Sequence, residues 1–202
     1  MKCSIAFLIG LILTSSVAAQ SQVSRAIDAM SGQQAAFVQK FTPRGFAREQ
    51  VESGSVVFGP SPKMRWIYAK PEQKTFVFDG ATSWFYVPSD QQVMVNTLTA
   101  EERSSLPFLL LADPRSVSAN YTLKESSRGG AVTTRLTARD SNAMVREIVV
   151  ISSARDHRVS SLQYTDKQGN RTVFQFSDFS KAPASAAQFT FEPPAGVQVI
   201  RQ

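Results

Sequence analysis

The side chains able to do covalent or acid–base chemistry are few and scattered. The chain of 202 residues holds one histidine and one cysteine. His157 sits in a polar stretch, Arg155-Asp156-His157-Arg158, which suits a solvated turn better than a general base. Cys3 precedes an apolar run at the N-terminus, so the rest of the chain has no thiol for nucleophilic or redox work and no disulfide. Glu101-Glu102 is the only adjacent acid pair, and it lies where Thr99 would cap a helix with a glutamate three residues on. Serines are abundant, but no G-x-S-x-G elbow is present. Gly59 and Gly129-Gly130 lack the spacing and the strand-to-helix context of phosphate loops. One histidine and dispersed carboxylates do not supply a metal's ligand set. These residues point to a non-enzymatic protein with no metal and no cofactor.

What remains is apolar chemistry. Four short runs, Met64–Tyr68, Thr75–Phe78, Trp84–Val87 and Val93–Val95, are separated by Lys70-Pro71-Glu72, Asp79-Gly80 and Pro88-Ser89-Asp90. Aromatic and β-branched runs of this length, broken by Pro, Gly and Asp, predict an antiparallel meander. Phe76-Val77-Phe78 and Trp84-Phe85-Tyr86-Val87 place apolar groups on both faces, whereas an ordinary antiparallel sheet keeps one face wet. Further on, Phe108-Leu109-Leu110-Leu111-Ala112 is apolar on every side, where a surface helix shows one stripe. Two readings follow: a filled core, or a cavity for acyl chains. Each buried methylene is worth about 0.8 kcal/mol, so one long chain involves on the order of ten kcal/mol.

The elements that position these residues can be read in order. Met1-Lys2, the apolar run Ile5–Leu13 and the small residues Val17-Ala18-Ala19 make residues 1–19 a secretory signal peptide, cleaved near Ala19-Gln20. Residues 20–202 then form a single domain. Val23, Ile27 and Met30 make one stripe of a helix that Ser21 caps and Gly32 ends. Strands are expected over Ala35–Thr42 and Val51–Phe58, then the meander. The Thr99 capping box opens a helical turn, Pro107 starts a second, and Asp113-Pro114 stops it. From Val117 strands return: Tyr121–Glu125, Val132–Ala138, Val145–Ser152, Val159–Asp166 and Thr172–Phe179. Pro183–Ala187 predicts a last helical turn, and Phe189–Pro194 the segment that closes the sheet. Ten or eleven strands with helices at the start and middle imply a mainly β fold: one curved antiparallel sheet, its short helices across the concave side.

The net charge is +6. Lys63, Arg65, Lys70 and Lys74 are the densest basic group, and their alternation with apolar and turn residues suits solvated edges and loops. Nucleic acid is not an expected partner, since no basic array or recognition-helix pattern is present.

Several stretches, taken together, resemble the LolA family of periplasmic outer-membrane lipoprotein carriers. They are Ala36-Phe37-Val38-Gln39-Lys40, Arg65-Trp66, Phe78-Asp79-Gly80 with Trp84-Phe85-Tyr86, Leu106–Leu111, and Phe189-Thr190-Phe191-Glu192-Pro193-Pro194-Ala195-Gly196-Val197. The resemblance implies a half-open antiparallel β-barrel with a helical lid over a hydrophobic cavity, in a monomer. It implies acylated lipoproteins as cargo, taken from an inner-membrane ABC-type release complex and handed to an outer-membrane acceptor lipoprotein. Carried over by position, Ile27, Met64, Trp66 and Phe108 match cavity-lining residues, and Leu109, Leu110 and Leu111 match the lid. Phe78 and Trp84 join them as candidates from the apolar meander. One departure stands out: family members usually carry a lid-latching arginine before the proline ahead of this strand, and Gly59-Pro60-Ser61-Pro62 has none. Arg65 is close in sequence but should point away from Trp66. The alternative within the same scaffold is a lipid or lipoprotein sensor, or a carrier of another lipid. A lipid hydrolase is a third reading.

Overall fold

The computed structural model describes residues 20–183 and 185–202. The expected signal peptide, residues 1–19, lies outside the described residues. Helix α1, Gln22–Met30, is capped by Ser21, whose Oγ accepts from the Ser24 amide at 3.2 Å. It buries Val23, Ala26, Ile27 and Met30 on one stripe. Gly32, at φ +72°, turns the chain straight into β1, Gln33–Thr42. A left-handed residue at this point is cheapest as glycine.

The strands that follow are β2 (Gln50–Phe58), β3 (Met64–Lys70), β4 (Lys74–Phe78), β5 (Thr82–Val87) and β6 (Gln92–Thr97). After three short helical pieces come β7 (Tyr121–Arg128), β8 (Ala131–Ala138), β9 (Val145–Ser153), β10 (Val159–Asp166) and β11 (Arg171–Lys181), and finally β12 (Gln198–Arg201). Among the described residues these twelve strands make one sheet, ordered β12-β6-β5-β4-β3-β2-β1-β11-β10-β9-β8-β7. All pairings are antiparallel except β12 with β6, and β12 and β7 remain open edges, so the sheet curls without closing. Two features tighten the curl. The β1–β11 register slips between Gln34 and Ala36, and such bulges bend a strand. At Gly54 the backbone of β3 comes so close that a Cβ would overlap the Ile67 carbonyl.

The helical pieces between β6 and β7 form a lid on the inner face. Helix α2, Ala100–Ser105, opens with the expected capping box: the Thr99 amide donates to Glu102 Oε2 (2.7 Å) and the Glu102 amide donates to Thr99 Oγ1 (3.2 Å). The Thr99 amide and the Thr99 hydroxyl, which also donates to Glu102 Oε2 (2.8 Å), hold the Glu102 carboxyl below its usual range. Pro107–Ala112 is a 3-10 turn rather than an α-helix. The expected return to strands at Val117 is not what the chain does. Asp113 both ends the 3-10 turn and, accepting from the Arg115 amide at 3.1 Å, caps α3, Pro114–Asn120. Proline at the first helical position starts this helix instead of merely stopping the previous one.

The second apolar face has a different cover. Register places Arg65, Val77, Trp84 and Val95 side by side on the outer face. The C-terminal segment crosses them: Arg65 Nη1 donates to the Gln188 carbonyl at 3.2 Å, and the Phe191 ring centroid lies 5.3 Å from that of Tyr86. Val77 is fully buried as a result. Phe189 falls in a 3-10 turn, Ala186–Phe189, and is buried. Phe189–Pro194 therefore does not close the sheet. It straps the outer face, and only Gln198–Arg201 adds a strand.

Candidate functional site

The inner face is built by strand alternation. Met64, Trp66 and Tyr68 of β3 point inward, opposite Phe78, Phe76 and Lys74 of β4. Phe37 on β1 and Phe174 and Phe176 on β11 complete an aromatic floor, with the Phe37–Trp66 centroids 4.9 Å apart and Trp66–Phe174 5.2 Å. The lid reaches into it. Phe108 stands edge-on to Trp66 at 5.7 Å and to Phe76 at 5.2 Å, and is tilted against Phe174 at 6.3 Å.

A 3-10 turn has three residues per turn, so its side chains cannot all share one face. Phe108 faces the β3–β4 floor, Leu111 shares a small void with Ile27 and Phe58, and Leu109 and Leu110 line a cleft toward α3. Leu109, Leu110 and Leu111 are all buried. The segment is apolar all round because it is enclosed all round.

Of the nine candidate residues, eight gather in one buried cluster or pack against it: Ile27, Met64, Trp66, Phe78, Phe108, Leu109, Leu110 and Leu111. Trp84 does not. It pairs with Val77 on the outer face and is removed from the cavity candidates. Arg65 likewise points outward, as its parity with Trp66 requires. Its guanidinium is pulled down from the usual value by burial.

Two spaces adjoin the lid. One, about 270 Å³, lies between Phe108 and strands β3–β6, with Trp66, Phe76, Phe85, Met94 and Leu98 in its wall. The other, about 340 Å³, lies between Phe78, Leu109, Leu110 and Tyr121, with Arg103 and Arg115 also in its wall. Leu106 borders both. Tyr68 stands at the edge of the first, its hydroxyl donating to Gln39 Oε1 at 2.8 Å. Burial, then Glu52 and Tyr164, push its pKa up from 10.0, so it stays a neutral donor. Phe85, Met94, Leu98 and Leu106 were not among the candidates. Phe85 directly follows Trp84, and only the register tells which of the two faces inward.

A family model described as outer membrane lipoprotein carrier protein LolA matches residues 28–192. The chain belongs to the LolA family. An outer-membrane lipoprotein carrier protein of Xanthomonas axonopodis pv. citri (strain 306) is 29% identical over 180 residues, covering 88% of this chain and 84% of the relative. Another, of Albidiferax ferrireducens, is 31% identical over 166 residues, covering 77% and 76%. In fold the chain is similar to an uncharacterized conserved protein of Thermus thermophilus (TM-score 0.56, 16% identity, 90% of this chain and 97% of that one). It is also similar to a LolA superfamily protein of Nitrosomonas europaea (TM-score 0.51, 14% identity, 87% and 99%).

This LolA-family chain holds its lid without an arginine in Gly59–Pro62. The Gly59 carbonyl accepts from Ser31 Oγ at 3.3 Å. A polar tie between lid and sheet comes from the lid side: Arg103 Nη1 donates to the Gly80 carbonyl at 3.2 Å, in the β4–β5 turn. Beyond such ties, apolar packing keeps the lid down.

Proposed function

We propose that this protein takes up the acyl chains of lipoproteins in the space now filled by its lid and carries them across the periplasm. The inner-membrane ABC-type release complex is its donor and an outer-membrane acceptor lipoprotein its recipient. Its role is that of a non-catalytic chaperone. The observation that carries this reading is Phe108, seated edge-on against Trp66 and Phe76 where an apolar ligand would lie.

The magnitudes suit a carrier. Lifting the lid exposes Phe108, Leu109, Leu110 and Leu111. At about 1.5–3 kcal/mol per side chain that costs roughly 6–12 kcal/mol. One long acyl chain returns on the order of ten kcal/mol. A single chain therefore about breaks even, two or three chains win, and the lid's tendency to reclose assists release. Ligand and closed lid compete for one space, which makes the lid a two-state element biased by cargo.

The test is a release assay. Spheroplasts given the protein, residues 20–202, should shed newly made lipoproteins as soluble one-to-one complexes with it. Lipoproteins that stay in the inner membrane, with the protein folded, would refute the carrier reading.

A further inference from the structure

Three neighbouring turns at one end of the sheet form a rim: 43–49 between β1 and β2, 139–144 between β8 and β9, and 167–170 between β10 and β11. The Arg44 amide donates to Asn170 Oδ1 at 3.1 Å and the Lys167 amide to the Met144 carbonyl at 3.0 Å, which ties the turns into one surface. In the first turn the Phe46 amide donates to the Pro43 carbonyl at 3.1 Å, with Gly45 between them at φ +82°. A positive φ at the third position of such a turn suits glycine. The turn is hydrogen-bonded, yet it holds Phe46 70% exposed, the highest value for a large apolar side chain among the described residues. Met144, in the second turn, is also exposed.

Positive charge surrounds these side chains. Residues 43–49, 139–146 and 166–171 hold six exposed cations, Arg44, Arg48, Arg139, Arg146, Lys167 and Arg171, against three carboxylates. The carboxylates are engaged elsewhere. Glu49 pairs with Lys40 at 3.4 Å, Asp140 accepts from the Asn142 amide at 2.7 Å, and Asp166 accepts from the amide and the side chain of Asn170, both at 2.9 Å. Among the described residues none of the six cations forms an ion pair. A lone exposed phenylalanine needs no explanation. One held at the tip of a projecting turn and ringed by cations has what an anionic bilayer surface takes up: a ring for the headgroup boundary and charges for the phosphates. Projecting turns offer a protein partner no socket, whereas a soft lipid surface needs none. Phe46 and Arg48 also border a groove of about 890 Å³ that Gln39 lines. Gln39 accepts from Tyr68, which borders the space under the lid.

We propose that this rim is a membrane-docking surface: Phe46 enters the interfacial layer of a bilayer while Arg44 and Arg48 meet the phosphates of anionic phospholipids. The inference goes beyond the carrier reading and does not depend on bound cargo. One aromatic side chain with a few cations gives a weak, reversible contact, which suits a protein that visits a membrane and leaves it.

The test sediments the protein, residues 20–202, with vesicles of phosphatidylcholine alone or mixed with phosphatidylglycerol. It should bind the mixed vesicles only, and high salt should release it. Arg44→Gln with Arg48→Gln should weaken binding roughly 30-fold, about fivefold for each charge held near an anionic surface. Phe46→Ser should weaken it about tenfold, with an unchanged Tm, since the side chain already stands in water. Arg128→Gln with Arg155→Gln removes the same charge from the turns at the opposite end of the sheet and should leave binding unchanged, because salt screens charges so far from the contact. No binding to the mixed vesicles, full binding by Phe46→Ser, or equal losses from the two arginine pairs would overturn the inference. Slower lipoprotein release by the rim variants, from a parent that binds no vesicle, would assign the rim to a protein partner and overturn it as well. The lipid and salt dependence of the unmodified protein is read without any variant. None of these outcomes touches acyl-chain binding under the lid, so the carrier reading stands or falls separately.

Discussion

Replacing Phe108 by alanine should tighten acyl-chain binding. In the closed state its ring makes two edge-on contacts, with Trp66 and Phe76, and a tilted one with Phe174. Such ring pairs are worth about 0.5–1.5 kcal/mol each beyond simple burial. The two edge-on pairs alone contribute about 1–3 kcal/mol, and a flexible acyl chain does not replace their geometry. Phe108→Ala removes that preference for the closed lid. Because opening precedes or accompanies binding, the apparent Kd should fall by the same factor, roughly 5- to 150-fold. The assay exploits the placement of the two tryptophans. Trp84→Phe on the outer face leaves Trp66 as the sole indole, lying under Phe108. A diacylated lipopeptide with brominated chains would quench it on binding, giving Kd and the release rate together. Release should slow in the alanine variant. An unchanged or higher Kd, in a variant that still melts cooperatively, would refute the idea that Phe108 holds the place of the ligand.

Three further outcomes separate scaffold from site. Gly54→Ala forces a Cβ onto the Ile67 carbonyl. It should destabilise by about 2–4 kcal/mol and lower Tm by roughly 5–15 °C in a thermal melt. Phe191→Ala loosens the outer strap at Tyr86. It should cost about 1 kcal/mol in a urea melt while leaving lipopeptide affinity unchanged. The pKa of Tyr68 is raised in the fold, chiefly by burial, so the folded state favours the neutral phenol. That contribution is complete below the unfolded value of 10.0 and is lost as pH rises beyond it. Stability measured between about pH 9 and 11 should fall, and Tyr68→Phe should flatten the slope.

Local signals were strong in this chain, and they name most of its elements. Ser21, Thr99 and Gly32 mark helix ends through bonds and angles that their residue types favour, and the turns Asp79-Gly80 and Arg128-Gly129-Gly130 delimit strands where expected. The lid was legible because no surface helix reads Phe-Leu-Leu-Leu-Ala. Parity was not legible in the meander. Where both faces are apolar, composition cannot say which of Trp84 and Phe85 looks inward; that depends on pairing with Val77 and Phe76, set by the whole sheet. The outer cover was missed for a related reason. Phe189 and Phe191 alternate like a strand, but this segment meets distant side chains, Arg65 and Tyr86, rather than a ladder of backbone bonds. Helix α3 was missed because Asp113-Pro114 reads equally as a stop and as a start.

The most direct test of the account is to ask which face of the sheet meets the acyl chain. A lipopeptide with a diazirine near the end of its acyl chain would be bound, irradiated, and the attachment sites mapped by mass spectrometry. Attachment at Trp66, Phe76 or Phe85 on the inner face, or at Phe108 of the lid, is the predicted result. Attachment at Trp84 or Phe191, on the strapped outer face, would contradict it.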